Sequence, residues 1–560
     1  MFYRFVCYCF VVFFVAGCVE NNLIPAVKDK VSGKVTYDKV PVSLNSDSSA
    51  KLDYINTEVF PCKHILVKAI NTKGEVVASS PTDKNGYYEL NISSSDDVKI
   101  RAYAQMQKSD TPSWDVKVVD NVNQNSLYVI EGEYAKVTKQ TATRNLHASS
   151  GWNKTGYLKN GRSSAPFAIL DTIYLSMDKI LSADDKAQFP PLVINWSTSN
   201  VASGGDKELG QIVTSNYDGD GGLWILGDEN GDTDEFDDHI IAHEWRHYFE
   251  DKFSRSDSIG GSHATTDHLD IRVALGEGWG NAFSGMATNN PYYYDTSGAK
   301  QSTGWYMNLE TDKSSVRGYY NEGSVQRILY DLYDDKKETH DNIALGFKPI
   351  YEAMIDKEKN APAFTSLFTF IDALKSQNQD KKTQIDSIVS SEGIAPIIDV
   401  YGTGRDAKEN DRLNNMPLYR TLNFGSWQKV CYQSYDNNDN IGFMSRYNKF
   451  GNRTFFKLNI PKTDFYSIKA KQNGTTYGDP DMIIYKAEYP FEALALSPSE
   501  GATADALDMD LAQGDYLVEL YDATYNSSCF LVTIEKSVPN KMKANMKPTQ
   551  PRVLKKMPQY

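Results

Sequence analysis

His243, Glu244, Trp245, Arg246 and His247 form an H-E-x-x-H run, a spacing suited to metal chemistry on a helix. Residues four apart share one helix face, so both imidazoles can take the same metal ion. Glu244 then stands beside that ion, placed to take a proton from water rather than to bind the metal. With only 8 histidines in 560 residues, composition alone rarely produces the pattern. The alternative is an amphipathic helix whose two histidines merely share a face. Neighbouring residues favour a buried helix: Asp237 and Asp238 suit its start, and Ile240, Ile241 and Ala242 supply an apolar side. His239 lies about 12 Å along the axis from His247, too far to share its ion, and reads as a helix-start histidine near the site.

Catalytic zinc keeps three protein ligands and one open position, so a third ligand must come from elsewhere. A metzincin needs Gly and His three and six residues after the second histidine, and Glu250 and Phe253 occupy those places. Downstream, Ala274-Leu275-Gly276-Glu277-Gly278-Trp279-Gly280-Asn281 reads as a second helix rich in small residues. The two stretches together resemble the gluzincin metallopeptidases. The Gly276–Trp279 run is similar to fungalysins, and Asp238–Glu244 to the thermolysin active-site helix. The resemblance implies zinc held by His243, His247 and Glu277, with Glu244 as general base. His263 and His268, in a polar loop, are the rival third ligands. Those families carry Asp four residues after the ligand Glu; here Asn281 stands there, able to accept a hydrogen bond but adding no charge.

The resemblance reaches two further stretches. Tyr319, in Tyr319-Tyr320-Asn321-Glu322-Gly323, falls where thermolysin-like enzymes keep the histidine that stabilises the oxyanion. A phenol can donate the same hydrogen bond; otherwise Tyr319 only packs. Gly222–Leu226 reads as a short strand, and in thermolysin-like enzymes the strand before the zinc helix pairs with the substrate backbone. An ordinary core strand is the alternative. Separately, Asp228–Asp234 alternates oxygen-bearing side chains around a glycine, which can wrap calcium or simply form a solvated acidic loop.

Residues 1–18 read as a targeting segment, because Phe5–Ala16 is apolar but short for a bilayer. Val15-Ala16-Gly17-Cys18 resembles the bacterial lipobox, which implies a lipidated Cys18, export and attachment to the cell envelope; a retained anchor helix is the alternative. Cys7, Cys9 and Cys18 belong to this leader, leaving Cys62, Cys431 and Cys529. Cys431 and Cys529 fall in one expected β region and form the natural disulfide pair, with Cys62 unpaired and buried. A net charge of −14 offers no basic field for nucleic acid.

The length implies about three domains. Residues 32–140 are strand-like, and Thr82–Tyr88 resembles a turn of carboxypeptidase-regulatory-like β-sandwiches. The peptidase region spans 150–410, with helices expected from Ser164-Ala165-Pro166 onward and over Pro362–Lys375. Residues 420–537 return to strands and resemble the prepeptidase C-terminal domain, and 538–560 read as a flexible basic tail. The expected fold is multidomain: an α+β thermolysin-like zinc peptidase domain flanked by two all-β sandwich modules. The expected function is zinc-dependent peptide-bond hydrolysis, most simply by an endopeptidase acting on protein or peptide substrates at the envelope. The rivals are a zinc hydrolase of non-peptide amides or glycopeptides, and a metal-binding or adhesive lipoprotein without turnover. Oligomeric state, cleavage preference and membrane leaflet stay open.

Overall fold

The computed structural model describes residues 29–539 apart from short segments at 93–96, 138–141, 160, 313–314, 336–340, 406–416, 434–445 and 498–500. The leader with Cys18, and all but the first two residues of the expected tail, lie outside the described residues. Among the described residues, seven α-helices run in chain order. They are α1 (Ala165–Leu181), α2 (Asp238–Phe253), α3 (Ile271–Thr288), α4 (Glu322–Tyr333), α5 (Phe347–Ala353), α6 (Leu367–Gln377) and α7 (Lys382–Ser391). No described helix is long and apolar enough to cross a membrane.

The long strand Asp29–Lys39 buries Val31, Val35 and Tyr37 in period-two alternation. It pairs antiparallel with Tyr87–Ile92 and Glu58–Pro61 and parallel with Leu146–Ala148. A second sheet of nine strands contains the path Asn216–Tyr217, Leu223–Ile225, Leu192–Trp196, Trp114–Asp120, Val98–Lys108, Ile65–Asn71 and Val76–Pro81. This path crosses the border expected near residue 150. Trp114–Asp120 would otherwise end as an open edge of backbone donors and acceptors, and Leu192–Trp196 closes it in parallel, with Val116 opposite Leu192. The N-terminal strands therefore share a sheet with the expected peptidase region, and one buried cluster joins both. In α1, Ile169, Ile173, Met177 and Ile180 form the expected core stripe, all fully buried.

Helix α6 starts five residues later than Pro362. Ser366 takes the N-cap position, and its backbone N donates to Thr369 Oγ1 at 2.9 Å. Phe364 stays outside the helix, wedged against Phe455, Tyr485 and Phe491, so a residue on the helical period serves a different contact.

The C-terminal strands form one five-stranded and one four-stranded sheet. They share their own core, including Phe456, Ile468, Val518 and Phe530. Cys431 and Cys529 lie opposite each other on paired strands and are joined as a disulfide, while Cys62 is free and buried. This body grips the start of α3. Arg272 bonds Asp270 and Glu519, Arg453 bonds Glu519 at 2.5 Å, and Asp270 N donates to Asn448 O at 2.7 Å. Burial opposes ionisation of Glu519, yet Arg272 and Arg453 hold its carboxyl down at about 2. The helix that carries Glu277 is thus anchored at its N-terminus by the C-terminal sheets.

Candidate metal centre

Helix α2 packs on α3, and α3 on α4. The acidic pair at the start of α2 does not cap it in the expected way. Asp237 turns its Oδ2 to Thr296, accepting from N at 2.7 Å and Oγ1 at 2.9 Å. Asp238 instead pairs with Lys39 and Thr172. His239 Nε2 lies 3.0 Å from Asn290 O, away from metal duty.

The small residues of α3 have a positional reason. A Cβ at Gly280 would stand 2.7 Å from the His243 ring, and one at Gly278 would stand 2.6 Å from Glu322 O on α4. Glycine at 280 lets the imidazole lie on the α3 backbone, and glycine at 278 lets α4 approach the other side. Gly280→Ala is accordingly expected to displace His243, costing about 1–3 kcal/mol in stability and lowering metal occupancy. Metal analysis after gel filtration, with thermal unfolding alongside, checks this; full occupancy with an unchanged midpoint would show that the ring has room.

Three ligand atoms converge. His243 Nε2 is 3.1 Å from His247 Nε2 and 3.1 Å from Glu277 Oε2, and His247 Nε2 is 3.4 Å from the same oxygen. Ligands on tetrahedral zinc with bonds of about 2.0–2.1 Å stand about 3.3 Å apart, so the spacing fits. His243 Nδ1 lies 2.9 Å from Asn281 Oδ1, and Asn281 Nδ2 donates to Gln326 Oε1 at 3.0 Å. With the amide nitrogen so committed, Asn281 accepts the Nδ1 proton and His243 turns Nε2 to its neighbours. All three side chains are buried, and His247 Nδ1 and Glu277 Oε1 have no hydrogen-bond partner. Burial holds His247 down at about 4, in the neutral form that ligates. Burial also opposes a charge on His243, but the Glu277 carboxylate draws it above the ordinary range. The trio is a site that calls for positive charge, whether proton or metal.

Glu244 stands half-buried beside the ligands, and desolvation, the largest influence, raises its carboxyl to about 7. Its Oε2 accepts from Tyr217 N at 3.0 Å. Tyr217 belongs to Asn216–Tyr217, the last strand on that path of the nine-stranded sheet. The strand expected at Gly222–Leu226 is Leu223–Ile225, and it is flanked on both sides, by Leu192–Trp196 and by Asn216–Tyr217. The chain doubles back at 218–222 to cover it, so the sheet edge nearest Glu244 is a different strand from the one expected.

His263 also reaches the centre. Its Nδ1 is 2.6 Å from Glu322 Oε2 and its Nε2 is 3.3 Å from Glu277 Oε2. Burial works against its charge, but Glu277 and Glu322 raise it to about 10. Glu322, in the first turn of α4, is a functional candidate that sequence reasoning missed; the cap of Asn321 on Ser324 N was the available signal of that helix start. Tyr319 packs its ring against Phe368 at 4.7 Å, Tyr320 at 5.1 Å and Phe450 at 5.7 Å, and His268 stacks on Tyr320. The aromatic ring at the metal centre is instead Tyr293, edge-on to His243 at 6.3 Å and stacked with Trp305.

No protein-family model matches the chain. No curated protein matches it. Among solved structures, it is similar to the pre-peptidase C-terminal domain of a collagenase from Bacillus anthracis, at 11% identity and a TM-score of 0.16, covering 22% of this chain and 99% of that one. It is also similar to a periplasmic inhibitor of g-type lysozyme from Aeromonas hydrophila, at 14% identity and a TM-score of 0.14, covering 21% and 95%. A family 35 carbohydrate-binding module from Cellvibrio japonicus is similar at 18% identity and a TM-score of 0.12, covering 21% and 97%. These likenesses leave the metal centre to be read from its own chemistry.

Proposed function

We propose that this chain is a gluzincin-like zinc metallopeptidase with a thermolysin-like catalytic arrangement, acting on proteins or peptides at the bacterial cell envelope and held there through Cys18. The observation that carries the reading is the convergence of His243 Nε2, His247 Nε2 and Glu277 Oε2, with the half-buried Glu244 carboxyl alongside. Zinc held by that trio supplies Lewis acidity, lowering the pKa of water and polarising a carbonyl.

Glu244, oriented by Tyr217 N, takes the proton of the attacking water and delivers it to the leaving nitrogen. A carboxylate in this position can both accept a proton from water and return it. His263, fixed through Nδ1 by Glu322, offers Nε2–H to the carbonyl oxygen as negative charge develops there, the role first expected of Tyr319. Asn281 keeps His243 in the ligating tautomer.

Incubation of the purified chain with a peptide mixture should yield defined internal cleavages by mass spectrometry. Zinc chelation should abolish them and added zinc restore them. Stoichiometric zinc with no peptide cleaved would leave the metal-binding lipoprotein reading in its place.

A further inference from the structure

The loop that carries His263 runs from the end of α2 to the start of α3 without a helix or strand of its own. Backbone carbonyls in such a stretch have no ladder to pair them, so other parts of the molecule must supply their donors. One short segment of the C-terminal body meets three of them. Tyr447 Oη donates to Ile259 O at 3.3 Å, Asn448 Nδ2 to Gly260 O and to Ser262 O, both at 3.0 Å, and Lys449 Nζ to Ser262 O at 2.8 Å. The Lys449 ammonium also pairs with Asp267 at 2.9 Å. Phe450 N donates to His268 O at 2.8 Å, and its ring stacks on Tyr320. Asn448 is fully buried and Lys449 nearly so.

The other shoulder of the loop is held from α4. Asn321 Nδ2 donates to Thr265 O at 2.7 Å and to Asp267 O at 3.0 Å, while its Oδ1 caps Ser324 N. His263 stands between these two sets of anchors, its Nδ1 engaged by Glu322 and its Nε2 3.3 Å from Glu277 Oε2. The loop sequence fits the clamp. Gly260 and Gly261 have positive φ, 65° and 102°, a conformation that glycine adopts freely. A Cβ at Gly261 would lie 2.3 Å from Tyr447 Oη and 2.8 Å from Asn448 Nδ2. The glycine pair therefore serves the approach of the C-terminal segment as well as the turn.

We infer that Asn448 and Lys449, by holding the His263 loop, are positioning residues of the metal centre, so that the C-terminal sheets complete the site. Their effect on rate rests on the peptidase reading proposed above; the clamp itself does not. A module that was merely appended would meet the catalytic region through exposed, replaceable contacts. Here adjacent buried side chains reach the carbonyls on both sides of Gly261, and Ser262 immediately precedes the imidazole. Removing the Asn448 amide strands buried carbonyl groups that nothing apolar can satisfy. The loop then relaxes, and Nε2 loses the fixed direction in which it offers its proton. A displacement of about 1 Å is enough to cost about 10²-fold in rate.

Hydrogen–deuterium exchange on the full zinc-loaded chain carrying Glu244→Gln reads the clamp without hydrolysis. The peptides to follow span 258–269, where the Gly260, Asp267 and Leu269 amides are hydrogen-bonded. Asn448→Leu keeps the side chain's size and removes its donor; exchange there should quicken by about tenfold, with α2 and α3 still protected. With Glu244 intact, Asn448→Leu should keep one zinc per chain and lose kcat by about 10–10²-fold at little change in KM. Lys449→Met should act in the same direction, and Lys449→Arg, which still donates, should restore the parental rate. Ile468→Val, in the core of the C-terminal sheets, should lower the unfolding midpoint yet leave loop exchange and kcat alone, which separates positioning from general loosening. If Asn448→Leu fails to fold, the two Lys449 variants decide. Unchanged loop exchange in a folded Asn448→Leu, faster exchange with parental kcat, or an equal loss of kcat in Ile468→Val would overturn the inference. A parental chain that cleaves no peptide would refute the peptidase reading instead, and loop exchange would still decide the clamp.

Discussion

Glu244→Gln should retain stoichiometric zinc and lose peptide hydrolysis by about 10²–10⁴-fold or more in kcat. The substitution preserves shape, and the Gln carbonyl oxygen still accepts from Tyr217 N, as Oε2 does now at 3.0 Å. None of the three convergent ligand atoms is touched. What disappears is the group that takes a proton from water and returns it to the departing amine. The loss should therefore appear in kcat, with little change in KM, because the side chain's shape and its hydrogen bond from Tyr217 N are kept. A variant with its zinc and near-parental turnover would remove Glu244 from the mechanism. A variant that loses zinc would mean the carboxylate supports the ligands as well, and the two assays together separate these outcomes.

The parts of the site readable in the sequence were those whose geometry is local. Two imidazoles four apart on a helix meet by construction, and His243 and His247 do so. Glu277 came from likeness to a known motif, since nothing local says that α3 will cross α2. The glycines at 278 and 280 then explain the crossing, which is a statement about packing that only the neighbours make visible. His263 and Glu322 are 59 positions apart in sequence and meet because α4 starts beside the 258–268 loop; no periodicity encodes that. Tyr319 was placed by analogy with a segment whose register need not carry over, and its ring serves an aromatic cluster. The same limit governs the larger scale. Strand patterning marked 32–140 as strand-rich, which takes in Trp114–Asp120, but it did not mark Leu192–Trp196, and the parallel pairing that fuses the two into one sheet is a long-range choice. Asp295 illustrates it for charge: the acidic run at 228–234 was visible, while its partner arrives on the strand Tyr292–Ser297.

Glu277→Ala should strip zinc, whereas His263→Ala should keep it and lose rate. The argument begins with commitment of donor atoms. Glu277 Oε2 stands 3.1 and 3.4 Å from the two histidine Nε2 atoms, the separation expected of ligands on one tetrahedral ion. His263 has Nδ1 engaged by Glu322 at 2.6 Å and reaches the centre only through its contact with Glu277 at 3.3 Å. Removing Glu277 leaves two neutral nitrogen donors and no anionic one. Loss of groups merely supporting a ligand already costs about 10–100-fold in metal affinity, so loss of the carboxylate itself should cost more. Zinc measured after gel filtration should fall well below one per chain in Glu277→Ala and stay at one in His263→Ala. In the second variant kcat should drop while chelator resistance is unchanged, because a donor to the developing oxyanion is gone but the ligand set is intact. Full zinc in Glu277→Ala with depletion in His263→Ala would exchange their roles, making the loop histidine the third ligand and Glu277 the residue that positions it.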